Sequence, residues 1–162
     1  MTKSNHRYRY TECGLDNVYL LNGFDPVETP RGMATRITNR EGLHLAIGRY
    51  LVREKRDLNG KELRFLRHEL DMTQQIVANM LRVDVQTVAR WEKGKTGAVP
   101  GAVQGMIRVL YELKTGGDVE VVRLLKELSE LDEIIHGDEE ATEPLDFEDT
   151  EEGWQQSEVV PA

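Results

Sequence analysis

A chain of 162 residues that is 39% hydrophobic, 31% charged and 6% aromatic can bury one modest core and leave sizeable solvated segments, the composition of a helical protein with extensions. No apolar run approaches the ~20 residues of a membrane span and "MTKSNHRYRY" has no apolar signal-peptide stretch, so the expectation is a cytoplasmic protein with no membrane partner. The formal net charge of −8 is unevenly placed: residues 1–117 carry 19 Lys+Arg against 13 Asp+Glu, and residues 118–162 carry 2 against 16. A basic body thus precedes an acidic tail, and local potential decides what the body attracts.

Residues 1–38 read as a β-containing segment. "YRYTECGLDNVYLL", Tyr8 to Leu21, alternates Tyr with Arg, turns through "CGLD" and resumes with Val18 and Leu20 on one face, the pattern of a small hairpin. "NGFDPVETPRG", with two prolines and two glycines, reads as punctuation, and "MATRIT" as a third strand. Cys13 is the only cysteine; with no second thiolate at zinc-ligand spacing, no metal or cofactor is expected, and the thiol reads as a small buried or half-buried hydrophobe rather than a redox group.

Residues 39–116 supply five helical patterns. Asn39 is an N-cap signal for a helix with the stripe Leu43, Ala46, Ile47, Tyr50 and Leu51. Asn59 and Glu62 stand at capping-box offset before Leu63, Leu66 and Leu70, with Arg64 and Arg67 on the outer side. Thr73 precedes a third helix with Val77, Met80 and Leu81 inward. Asp84 precedes a fourth with Val88 and Trp91 inward and Gly94 as its stop. A fifth runs from "TGAVPGAV" to Leu113 with Val103, Met106, Ile107 and Leu110 inward.

Over residues 118–136, Val121, Leu124, Leu128, Leu131 and Ile135 recur at three-four spacing, either a helix capping the core or half of a dimer interface. Residues 137–162 are acidic and poor in apolar residues, and are expected to be disordered or only partly ordered. Three roles stay open for this tail: a solvated end, a partner-binding segment, or a DNA mimic competing for the basic body.

Two close-packed helices joined by a tight turn need a small inward residue on the first and apolar residues at set places on both. "TQQIVANMLRVDVQTVARWEKG" supplies Ala78, then Val77, Leu81, Val83, Val88 and Trp91, around the turn "RVD". This stretch resembles the Xre-type helix-turn-helix family at Thr73, Gln74, Ala78, Val83, Asp84, Thr87, Val88, Arg90, Trp91, Glu92 and Gly94, and the likeness extends over about residues 58–114. It implies a mainly α fold: a five-helix, lambda-repressor-like helix-turn-helix domain behind the N-terminal hairpin. The family usually has glycine where Arg82 stands, because the chain there turns to positive φ; a non-glycine residue costs roughly 1 kcal/mol.

If the fourth helix enters the major groove of a double-stranded operator, Val85, Gln86 and Arg90 reach base edges, with Ala89 beside them: Val85 a thymine methyl, Gln86 an adenine, and Arg90 a guanine or phosphate. By resemblance, Gln74 donates to backbone phosphate. Thr87 divides its methyl and hydroxyl between packing and phosphate, while Arg82, Lys93, Lys95, Arg64 and Arg67 are candidate phosphate neutralisers. Trp91 and Glu92 read as structural, Glu92 bonding backbone or a neighbouring Arg. A single recognition helix contacts few bases, so a homodimer on two half-sites is expected, through the Tyr8–Leu21 hairpin or the Val121–Ile135 stripe.

The order of N-terminal segment, "LHLAIGRYLV" helix and "RWEKG" motif is similar to the MqsA-type (YgiT-type) antitoxin regulators, which implies autoregulation and a toxin partner. Many of them carry a paired CxxC zinc motif that is missing here, since Cys13 stands alone, so the zinc domain and its toxin-binding role do not carry over and a toxin stays only one possible protein partner. Catalysis is not expected, because His6, His44, His68 and His136 are scattered and no phosphate-binding glycine loop occurs.

Overall fold

The computed structural model describes residues 7–94, 98–134 and 147–156. Mainly helical, it carries a small antiparallel strand pair at its N-terminus, β1 (Tyr8–Arg9) with β2 (Tyr19–Leu20), in register Tyr8 to Leu20. The expected first hairpin is therefore only two residues deep, and the stretch between its strands buries Leu15 in the core and buries Tyr10 as well.

Next comes a second hairpin, β3 (Phe24–Thr29) with β4 (Gly32–Ile37). The strand at "MATRIT" is present, but its partner is the stretch read as punctuation. Pro26 is accommodated because Thr38 N donates to Gly23 O; alternation along the ladder then leaves Pro26, opposite Thr35, with its nitrogen facing away from the partner strand.

Helix α1 (Arg40–Arg53) starts at Asn39, whose side chain accepts from Gly42 N at 3.1 Å. Part of the expected stripe faces the core, Leu51 being buried and Ile47 packed against it, but Gly48 and Val52 are buried too while Ala46 and Tyr50 are exposed. The cause is Gly48, whose missing side chain admits the Tyr111 ring; a Cβ there would stand 2.1 Å from Tyr111 Oη. Leu43, Ile47 and Tyr50 instead form a shallow groove of about 400 Å³ with Val18, Tyr19 and Leu20.

In α2 (Gly60–Glu69) Asn59 Oδ1 accepts from Glu62 N and Glu62 Oε2 accepts from Asn59 N, both at 2.9 Å. Leu63, Phe65, Leu66 and Leu70 line the core. They meet α3 (Gln74–Leu81), α4 (Val85–Lys93) and α5 (Gly101–Thr115) around Val77, Ala78, Val88, Val103, Ile107, Leu110 and Tyr111.

Helix α6 (Val119–Ile134) packs on α3 and α5 through Val122 and Ser129. Lys126 Nζ donates to Leu70 O at 2.7 Å and Ser129 Oγ to Ile76 O at 3.1 Å. The predicted stripe is not the docking face: Val121, Leu124 and Leu128 are 44%, 54% and 52% exposed. Leu131 and Ile135, its remaining members, lie outside the residues whose side chains are described.

The tail is ordered in part. Strands β5 (Phe147–Thr150) and β6 (Gly153–Gln156) form a hairpin where disorder or only partial order is expected from composition. Its turn repeats the chemistry of the β3–β4 turn: Thr150 Oγ1 donates to Gly153 O at 2.8 Å, as Thr29 Oγ1 does to Gly32 O at 2.6 Å. Residues 135–146 and 157–162 lie outside the described residues. No helix among the described residues is long and apolar enough to cross a membrane.

Candidate nucleic-acid interface

The α3–α4 corner is built from local backbone rules. Thr73 Oγ1 accepts from Ile76 N at 3.1 Å to start α3. Its end is Arg82, at φ 53° and ψ 46°, with Val83 N donating back to Ala78 O at 3.0 Å; this left-handed closure caps the last carbonyls and reverses the chain. Asp84 Oδ1 then accepts from Gln86 N at 2.7 Å and opens α4, which Gly94 closes at φ 67°. Ala78 and Val88, both at 0% exposure, sit between the helices, where the small alanine permits close approach.

With Val88 inward, Gln86, Arg90 and Lys93 are exposed. Their spacing of four and three residues puts them on one face of α4, while Val85, Thr87 and Ala89 flank it half-buried. The result is a polar, cationic stripe along one helix, with Arg82 exposed at its entrance.

Behind the stripe lies a buried ionic network. Arg67, 6% exposed, donates from Nε to Glu92 Oε1 at 2.5 Å, from Nη2 to Glu92 Oε2 at 3.1 Å, and from Nη1 to Met72 O at 2.8 Å. This corrects the expectation that Arg67 neutralises phosphate. Its fork is consumed by a bidentate carboxylate contact that ties α2 to α4. Gln74 is drawn in as well, its Nε2 donating to Glu92 Oε2 at 2.6 Å; of its two amide hydrogens one remains for an outside acceptor. Glu92 has the structural role read for it, with Arg67 as the neighbouring Arg. Gly60 completes the joint, since a Cβ there would stand 2.1 Å from Trp91 O.

Arg64, also on α2, is exposed and lies beside the loop at Glu12–Gly14 and His44 of α1. Lys95 lies outside the described residues.

Two polar side chains that sequence reasoning missed hold the scaffold. Gln104 accepts from Leu58 N and donates to Val99 O, both at 2.9 Å. Arg108 donates to Leu51 O and Val52 O at 2.7 Å and to Lys55 O at 2.8 Å, capping α1. Their partners lie 5 to 57 residues away, and no local spacing signals the distant ones. Cys13 is half-buried and burial raises its thiol pKa, which disfavours the thiolate. Among the described residues no group of three or more His, Cys, Asp and Glu is arranged to hold a metal ion. In comparisons with known proteins, no family model, no curated protein and no solved structure matches this chain.

Proposed function

We propose that the chain is a sequence-specific DNA-binding regulator of the Xre-type helix-turn-helix class, acting as a dimeric repressor of its own operon. The observation that carries this reading is the α3–α4 corner with its exposed Gln86–Arg90–Lys93 stripe. In this reading α3 and α4 are the helix-turn-helix pair and α4 lies in the major groove. Gln86 pairs with adenine, Arg90 with guanine or phosphate, and Val85 touches a thymine methyl; Lys93 and Arg82 sit over phosphates. The Arg67–Glu92–Gln74 network fixes the tilt of α4 and leaves one Gln74 N–H for the backbone. The acidic global charge is no obstacle, because the carboxylate excess belongs to residues 118–162.

The test is fluorescence anisotropy with DNA from immediately upstream of the protein's own gene against an unrelated duplex. Wild type should prefer the upstream DNA and weaken with salt. Gln86→Ala/Arg90→Ala removes two base contacts worth about 1–3 kcal/mol each, so the preferred duplex should bind roughly thirtyfold less tightly or worse. Equal binding of both duplexes by wild type at every salt concentration would reject the reading.

A further inference from the structure

The loop at Glu12–Gly14, α1 and α2 enclose a pocket of about 300 Å³, at the lower end of the ~300–1,000 Å³ typical of small-molecule sites. It brings together residues that the sequence scatters: Cys13, His44, Arg64, Phe65 and His68. One wall is locked by a chain of bonds. Arg40 Nε donates to Tyr10 Oη at 3.1 Å, Tyr10 Oη meets His44 Nε2 at 2.8 Å, and His44 Nδ1 meets Glu69 Oε1 at 2.8 Å. The buried Phe65 ring packs on His44 with centroids 5.5 Å apart and adds an apolar side.

Most charged groups around the pocket have partners. Glu69 is held by His44, Glu12 by the Tyr8 hydroxyl, and Lys61 by Asp16 at 2.5 Å. Arg64 and His68 make no hydrogen bond or ion pair among the described residues. Burial, then Arg67 and Arg64, lower the His68 pKa, so at neutral pH its ring offers an N–H without a second positive charge. A guanidinium fork with no protein acceptor, beside a neutral donor and an aromatic wall, suits a planar or tetrahedral oxyanion.

We infer that this pocket binds a small oxyanion, a carboxylate or a phosphate of small-metabolite size, with Arg64 as the clamp and His68 as a second donor. The site is separate from the α4 stripe and its test uses no DNA, so it stands or falls independently of the proposed regulator.

The experiment is an NMR amide titration of the full chain with benzoate and, separately, inorganic phosphate. Saturable shifts at Gly14, His44 and His68 are expected. The tighter of the two probes tells carboxylate from phosphate. Arg64→Ala should weaken binding about tenfold or more, and Arg64→Lys should recover only part because it keeps the charge but not the fork. Glu12→Gln, which removes a carboxylate from the facing wall, should tighten binding, and Arg49→Ala, the loss of an exposed cation elsewhere on α1, should leave it unchanged. Shifts that fail to saturate with either probe, or that survive unchanged in Arg64→Ala, would overturn the site.

Discussion

Arg67 and Arg64 stand three positions apart on one helix, and their fates differ because Glu92 arrives from α4 against only one of them. A buried carboxylate holding a guanidinium in two contacts contributes little against an apolar pair of the same shape, but removing one partner strands the other charge. Arg67→Met should therefore lose about 3–5 kcal/mol in urea unfolding, and Arg67→Met/Glu92→Leu should recover much of that loss. A single variant as stable as wild type would show that the pair is not buried as described. The pairing was half legible in sequence. The structural part of Glu92 could be read from its place at the end of the motif, but its partner lies 25 residues away, and helical spacing alone assigns Arg67 to the outer side. Arg82 shows the reverse case: the resemblance implies a positive φ at this position, where glycine is usual, and φ at Arg82 is 53°.

At the level of elements, the caps were the most readable feature, because a cap needs only residues two or three positions apart. Asn39, Asn59, Thr73 and Asp84 each start the helix they were expected to start. Asn59→Ala breaks the reciprocal pair with Glu62 and should cost about 1 kcal/mol, read as a lower urea midpoint; a midpoint equal to wild type would deny the capping box. Rotation of the helices was less readable. The apolar residues of α1 are sufficient for a stripe, yet Gly48 against Tyr111 turns that stripe toward the N-terminal groove. Similarly, Pro26 reads as a breaker until its ladder position is known.

For the whole molecule, α6 packs on the core with a face other than its predicted stripe. The helix is fastened to α2 and α3 by Lys126 and Ser129, which leaves Val121, Leu124, Leu125 and Leu128 exposed together on one side. We propose this stripe as the dimer surface of the proposed repressor, because exposed apolar patches favour burial against a partner and the alternative hairpin is only two residues deep. Sedimentation velocity should show wild type as a dimer and Leu124→Glu/Leu128→Glu as a folded monomer with weakened operator binding. A wild-type monomer at concentrations where it binds two half-sites would exclude the α6 interface.

The sequence by itself determined where the first four helices begin, the uneven distribution of charge, and that Gln86 and Arg90 of α4 face outward. These follow from interactions within a few positions of chain and from counting charges. Only the tertiary structure decided that Arg67 is interior, that α1 leaves Ala46 and Tyr50 outside while α6 holds its apolar stripe in the open, that Pro26 lies in a strand, and that His44, Arg64 and His68 share a pocket. Each of those outcomes depends on which distant element fills the space beside a side chain, and no period along the chain encodes that.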